Sequence, residues 1–580
     1  MIKLFMYLRS YKKECILGPL FKMLEAIFEL FVPLVVAAII DKGIAGEDKG
    51  YIVKMCLLMA ALGAIGLTNT LFAQFFAAKA ATGFAAKLRH ALLAHVQELS
   101  YQDINRLGSS TLITRMTSDI NQVQTGTNLA IRLLLRSPFI VFGAMIMAFT
   151  VDVKGALVFA VTIPVLSIIV FGIMLVSIPM FKKVQSRLDR VMNSTRENLS
   201  GVRVIRAFGQ EKSEIEGFEK DAEALTAMQK IVGRVSALMN PLTYVVINLA
   251  IIALIWTGSI RVEAGLLTQG AVVALYNYMS QILVELIKLA NLIVTLTKTA
   301  ACGNRLQAVL ETKPSQDFVS HDEKADIKRH SAVRFKNVTF TYEGASLPSL
   351  FDISFTVEKG DIIGIIGSTG SGKSTLVNLI PRFYDADSGS ITVGGIEVEK
   401  YPKKQLRECF GIVPQKSELM SGTIRDNLLW GKKDASDEDL REALKAAQAL
   451  DVVESKSKGL DEVITEGGRN LSGGQKQRLC IARALVRKPD ILILDDSSSA
   501  LDYGTEAALR VSLRELPFKP TVFIVSQRTI SIKDADKILV LDDGKLAGIG
   551  THDELLDGCT VYREIYNSQQ MEEAETHEEK

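Results

Sequence analysis

Gly367-Ser368-Thr369-Gly370-Ser371-Gly372-Lys373-Ser374 stands between the apolar run Asp361-Ile-Ile-Gly-Ile-Ile366 and the helix-forming Thr375-Leu-Val-Asn-Leu379. Strand, glycine loop and helix in that order form a complete GxxxxGK[ST] phosphate-binding loop. Glycines let backbone N–H groups close round phosphate oxygens, and the helix N-terminus adds positive potential. Lys373 is placed to reach the β- and γ-phosphates, and the Ser374 hydroxyl to ligate Mg2+. Gly367 to Thr375 are therefore read as nucleotide-binding residues in an α/β P-loop domain.

Downstream, Ile491-Leu-Ile-Leu494-Asp495 is an apolar strand ending in a carboxylate, the other half of a Mg2+-holding pair. Between the two lies Leu471-Ser472-Gly473-Gly474-Gln475, followed by a helix pattern. A serine and two glycines opening a helix make a second anion-binding element. Upstream, alternation in Val333, Phe335, Val338 and Phe340 and a turn at Glu343-Gly344 predict a strand and hairpin. The charged stretch 306–332 reads as a linker, which puts the nucleotide-binding domain at 333–570 and leaves 571–580 as an acidic tail.

The first 305 residues have another character. Six apolar stretches, near 15–40, 51–77, 128–150, 154–181, 236–260 and 268–297, each reach the ~20 residues that a bilayer requires. Arg132 and Arg136 open the third, where their stems would let the charges snorkel to the interface. Lys3, Arg9, Lys12 and Lys13 precede the first span and place the N-terminus in the cytoplasm. The two loops of about fifty residues, 78–127 and 182–235, are basic and helical in pattern, so the helices are expected to run on as stalks. Glu25, Glu29, Glu285 and Lys288 fall inside spans, where ionisable groups are candidates for function. Glu285 and Lys288 are three apart on one helix and can pair. With the polar stretch Tyr276–Gln281, residues Glu29, Gln281 and Glu285 are read as lining a cavity for an amphipathic substrate.

The charge balance, 67 basic against 65 acidic residues, lacks the basic excess of a nucleic-acid binder. Six scattered cysteines form no CxxC pair, hence neither a zinc site nor a disulfide framework.

The ordered set resembles the ATP-binding cassette (ABC) transporter family, and with six preceding spans it resembles an exporter-type half-transporter across residues 1–570. The resemblance implies a six-helix membrane bundle fused to an ATPase, with ATP and Mg2+ as cofactors, in a bacterial plasma membrane with both termini cytoplasmic. It implies that Tyr342 stacks on adenine, that Gln415 is the Q-loop residue at Mg2+, and that Asp502 lies in the D-loop. Ser472, Gly473, Gly474 and Gln475 would act on a partner's ATP. Thr465-Glu-Gly-Gly468 would form the cross-contact loop, and Tyr101–Leu107 and Phe208–Phe218 the two coupling helices.

Two positions depart from the family pattern. Asp496 stands where the family has a catalytic Glu, and Gln527, in Ser526-Gln527-Arg528, where it has a switch His. An aspartate is one methylene short of the attacking water, and glutamine exchanges no proton. A site that holds MgATP but hydrolyses it slowly, beside an intact signature, is expected to pair with a second half-transporter carrying Glu and His. A slow homodimer and an ATP-gated regulator or channel subunit are the alternatives. Drugs, lipids or hydrophobic peptides all remain compatible as substrates.

Overall fold

The computed structural model describes residues 2–319 and 331–578. It divides into two compact units, one running through Gln97 and from Gly108 to Thr312, the other comprising Glu98–Leu107 and Lys313 onward.

Six helical spans in the first unit are long and apolar enough to cross a membrane. Its principal helices are α1 (Lys12–Ala38), α2 (Lys49–Glu98), α4 (Ile120–Leu133), α5 (Arg136–Val151), α6 (Val153–Ser200), α7 (Glu211–Ala237), α8 (Met239–Glu263) and α9 (Gln269–Glu311). The 50 residues of α2 reach roughly 75 Å at ~1.5 Å per residue, more than twice a ~30 Å hydrocarbon layer. The stalks expected at 78–127 and 182–235 are thus continuations of spanning helices. Along α2 the buried face is Ala73, Ala77, Ala80, Phe84, Leu88 and Leu92, a spacing of three and four that keeps one stripe against the bundle. The membrane core gathers Phe159, Leu166, Leu254, Tyr278, Met279 and Ile282, with the Tyr278 hydroxyl donating to the Leu30 carbonyl at 2.7 Å. Asp152 caps α6 by accepting the Gly155 N–H at 2.7 Å and also receives Arg261 at 2.7 Å.

Two expectations change here. The stretch expected to span at 128–150 lies within one of the six spans but carries a turn at Leu134–Leu135, so α5 begins at Arg136, which is 6% exposed and held by Glu29 and Glu285 rather than snorkelling outward. Phe208–Phe218 is a turn followed by the opening of α7, with the Phe208 ring exposed, rather than a separate helix.

In the second unit, a four-stranded antiparallel sheet joins β1 (Ser331–Phe340), β2 (Leu350–Glu358), β4 (Ser388–Val393) and β5 (Ile396–Glu397) in the order β2-β1-β4-β5. A six-stranded sheet has the order β12-β11-β3-β10-β9-β6, from β3 (Ile362–Gly367), β6 (Phe410–Val413), β9 (Ile491–Asp495), β10 (Thr521–Val525), β11 (Lys537–Asp542) and β12 (Lys545–Gly550). The short β7 (Gly422–Thr423) and β8 (Val463–Ile464) pair with each other. Strands β6, β9, β10, β3 and β11 are parallel, and β9 and β10 are buried along their whole length, as continuous Val/Ile/Leu runs require. The hairpin of β1 and β2 pairs as its alternation predicts.

The boundaries differ from the sequence expectation. Helix α9 runs to Glu311, six residues into the stretch read as linker, and residues 320–330 of that stretch lie outside the described residues. The short helix α3 (Tyr101–Leu107) belongs to the second unit although it follows α2 in the chain. Tyr101 packs 4.6 Å from Phe383, Asn105 donates to the Tyr384 hydroxyl at 3.1 Å, and buried Asp103 accepts from Ser100 Oγ and the Ser315 N–H. The chain closes with α13 (Thr560–Glu578); the last two residues of the acidic tail lie outside the described residues.

Candidate functional site

Parallel pairing places three loops side by side. Ile365 of β3 lies opposite Val525 of β10, and Val525 opposite Asp495 of β9. The glycine loop, Ser526–Gln527 and Asp495–Asp496 therefore all leave the carboxyl ends of adjacent strands, where open α/β sheets bind ligands.

The glycine loop closes onto α10 (Lys373–Leu379). At Gly372 φ is +94°, and a Cβ there would stand 2.6 Å from the Ser349 carbonyl oxygen, so only glycine fits. Lys373 is 8% exposed, and its ammonium donates to the Gly367 and Ser368 carbonyls at 2.8 and 2.7 Å. Burial draws its pKa down, while Asp496 and Asp495 oppose that. The Ser374 hydroxyl donates to Asp495 Oδ1 at 3.0 Å. Asp496, with φ of +48°, turns the chain out of β9 and hydrogen-bonds Gln415, which is otherwise exposed. Tyr342 meets Thr375 Oγ1 at 3.1 Å through its hydroxyl and sets its ring edge-on to Phe340 and Tyr384. Ser368, Thr369 and Gly370 are exposed, and the buried Ser371 Oγ has no partner among the described residues.

Mg2+ takes hard oxygen ligands and keeps several waters. Ser374, Asp495 and Asp496 present hydroxyl and carboxylate oxygens and Gln415 adds an amide oxygen, so the donor set fits the ion. Burial holds both carboxyl pKa values above the ordinary range, and for Asp495 the neighbouring Asp496 adds to the rise. A ligand carboxylate must be ionised, so protons compete with the metal. Mg2+-dependent ATP affinity is therefore expected to begin falling, as pH drops, above the ~3.9 of a free aspartate. Titrating a fluorescent ATP analogue with and without chelator from pH 7.5 to 5 checks this. Equal Mg2+ dependence at both ends would show that the carboxylates titrate normally.

The stretch read as a second anion element opens a capped helix. Ser472 caps α11 (Gly473–Val486), accepting the Gln475 N–H at 3.3 Å, while Gln475 Oε1 accepts the Ser472 N–H at 3.1 Å. Ser472 and Gly473 are exposed. Asp502 caps α12 (Tyr503–Arg514) through the Thr505 N–H at 2.9 Å. Thr465 donates to Asn470 through both its N–H and its hydroxyl, at 3.1 Å each. Sequence reading did not anticipate Gln477, a buried glutamine that accepts the Ala500 N–H at 3.1 Å and donates to Ser499 Oγ at 3.3 Å. Ser499 in turn donates to the Asp496 carbonyl at 3.1 Å, joining the signature helix to the carboxylate loop. Gln527 is exposed, and its neighbour Arg528 lies 5.5 Å from the Tyr503 ring centroid.

The three residues read as a substrate cavity do line one space in the membrane unit. It measures about 400 Å³ and is walled by polar Glu29, Asn277, Ser280, Gln281, Glu285 and Lys288 and by apolar Val32, Pro33, Val36 and Val284. Glu285 pairs with Lys288 at 2.8 Å, as the spacing allows, but also with Arg136 at 2.7 Å, and Arg136 reaches Glu29 at 2.7 Å.

Residues 15–286 match the ABC transporter transmembrane region, and residues 350–499 match the ABC transporter family model. An uncharacterised ABC transporter ATP-binding protein of Bacillus subtilis, YfiB, is 36% identical over 98% of each chain. One of Mycobacterium tuberculosis is 35% identical over 97% of each. The chain belongs to the ABC transporter family. It is a half-transporter with membrane and ATPase domains fused, and its ATPase domain makes it a transport ATPase that binds ATP. The ATP-dependent lipid A-core flippase of Vibrio parahaemolyticus is 29% identical over 98% of this chain and 97% of its own. A bacterial Atm1-family ABC exporter with ATP bound superposes with a TM-score of 0.79 at 24% identity, over 97% of this chain and 98% of that one, which establishes the exporter fold. Transporters of this design work as dimers of halves.

Proposed function

We propose that this ABC half-transporter exports amphipathic or lipid-like compounds as one half of a heterodimer, in which its own site binds MgATP and turns it over slowly. The observation that carries this reading is the contrast within one site. Lys373 is held within the glycine loop and Ser374 bonds Asp495, an arrangement suited to MgATP, while Asp496 and Gln527 occupy the positions that in the family perform hydrolysis. The capped signature Ser472–Gln475 is intact and serves the partner's nucleotide, so one fast site survives only if the partner carries Glu and His. Similarity to a lipid A-core flippase and a cavity lined by both polar and apolar side chains support an amphipathic cargo. Glu29, Gln281 and Glu285 are the residues assigned to meet its polar end.

The test is to purify this chain gently from its native membrane and identify what accompanies it. A second half carrying Glu and His is expected. In that complex, Lys373→Ala should weaken ATP binding at one site by 10-fold or more, through loss of the ammonium–phosphate contact, while at least half of total turnover remains. Recovery of the chain only with itself would sink the heterodimer and leave the slow homodimer or the ATP-gated regulator.

A further inference from the structure

Helix α13 presents Tyr562, Tyr566 and Gln569 on one face, spaced by four and three. The first two anchor it. Tyr562 is fully buried, with its hydroxyl 2.7 Å from His552 Nδ1, and Tyr566 sets its ring edge-on to the same imidazole. Gln569 sits about two turns along from Tyr562, and its amide meets the segment that carries Gln527. Its Oε1 accepts the Thr529 N–H at 2.8 Å and the Thr529 hydroxyl at 2.9 Å, and its Nε2 donates to the Gln527 carbonyl at 2.6 Å. One planar group thus satisfies both sides of the chain as it leaves β10.

We propose that Gln569 is the positioning residue for the Gln527 loop, so that the carboxy-terminal helix sets where residue 527 stands relative to bound nucleotide. The proposal rests on the reading of Gln527 as the switch position. Thr529 is 4% exposed, and its N–H and hydroxyl have no other acceptor among the described residues. Other elements hold the residues on either side: the Ser526 N–H donates to the Ile365 carbonyl of β3 at 3.1 Å, Arg528 lies over the Tyr503 ring of α12, and Arg510 of α12 donates to the Ile530 carbonyl. Ser526 Oγ accepts the Arg528 N–H at 3.0 Å, and the Thr529 carbonyl accepts from Ile532 and Lys533. These fix the turn's shape, whereas among the described residues only Gln569 bonds the Gln527 carbonyl and the Thr529 N–H from another element. A glutamine is suited to this, since it supplies an acceptor and a donor from one rigid plane. A glutamate in its place offers only acceptors, keeping Thr529 and opposing the Gln527 carbonyl.

Hydrogen exchange on the purified full-length complex tests the clamp without reference to activity. Gln569→Ala is expected to speed exchange of the Thr529 amide at least 10-fold and leave the β10 amides unchanged. Gln569→Glu is expected to hold Thr529 within about twofold of the parent. Unchanged exchange at Thr529 in Gln569→Ala would overturn the proposal. The kinetic arm uses the Asp496→Glu/Gln527→His background, with any second half's P-loop lysine replaced by alanine. There both substitutions are expected to lower kcat about 10-fold or more, since small misplacements of a reacting group weigh heavily, with KM for ATP within twofold. A fall in folded yield with kcat per active site unaltered would assign Gln569 a structural role only and also overturn it. Failure of the background itself to hydrolyse ATP would instead overturn the reading of residues 496 and 527, and the exchange result then decides the clamp by itself.

Discussion

Asp496→Glu combined with Gln527→His is expected to raise ATP turnover at this chain's own site by about 100-fold or more, and neither change alone to exceed a few-fold. A positioned general base contributes roughly 10²- to 10⁴-fold, and an ångström of misplacement forfeits about 100-fold. Asp496 already turns back into the site at the end of β9, hydrogen-bonded to Gln415, so the glutamate needs no new path. Its added methylene carries the carboxylate outward toward the attacking water. Histidine at 527 stands at the end of the adjacent strand, on a loop whose carbonyl is held by Gln569, and adds a group able to exchange a proton. The two act as a unit, and effects of such units are far from additive. Single-turnover assays with any second half's P-loop lysine replaced separate this site from the other. Full recovery in Asp496→Glu alone would show that the histidine matters little here.

The nucleotide-binding fold and its cradle were legible because their chemistry is local. Gly367–Ser374 must follow a buried strand and open a helix, and the continuous apolar runs before Gly367 and Asp495 mark parallel, two-sided burial. Which strands are neighbours was not legible from either run. It is the pairing of β9 and β3 on either side of β10 that sets Asp495, Ser526 and Gly367 side by side. Tyr101–Leu107 was noticed by position, but its membership in the ATPase unit depends on an aromatic contact with Phe383 and an amide contact with Tyr384, some 280 residues away in sequence. Gln569 and Gln477 were missed for a related reason. A glutamine carries no periodic signal, and its importance lies in which unpaired backbone groups it meets.

Arg136 shows the same limit in the membrane unit, and it carries the largest expected effect on stability. Position at the start of an apolar stretch made snorkelling the natural expectation, yet its guanidinium is buried among Glu29, Glu285 and, at 3.7 Å, Glu25. Lys22 pairs with Glu25 and Lys288 with Glu285, so three acids and three bases from α1, α5 and α9 form one connected network. Arg136→Met keeps most of the volume but leaves Glu285, 3% exposed, with Lys288 as its remaining cation. Removing one partner of a buried pair typically costs about 3–5 kcal/mol. Thermal unfolding of the detergent-solubilised protein should therefore drop by roughly 5 °C or more, at ~1.6 °C per kcal/mol for a unit of about 300 residues. Adding Glu285→Gln should recover part of the loss, because the uncompensated charge goes with it. Lys288 keeps nearly half of its side chain accessible and can be solvated in the cavity. An unchanged midpoint in Arg136→Met would mean that water entering the cavity already screens the acids. If instead the double variant regains its midpoint but loses transport, the network is kept for what it presents to the cavity rather than for stability. That outcome fits the physics of buried ion pairs, which rarely outdo apolar packing and so need a reason to persist.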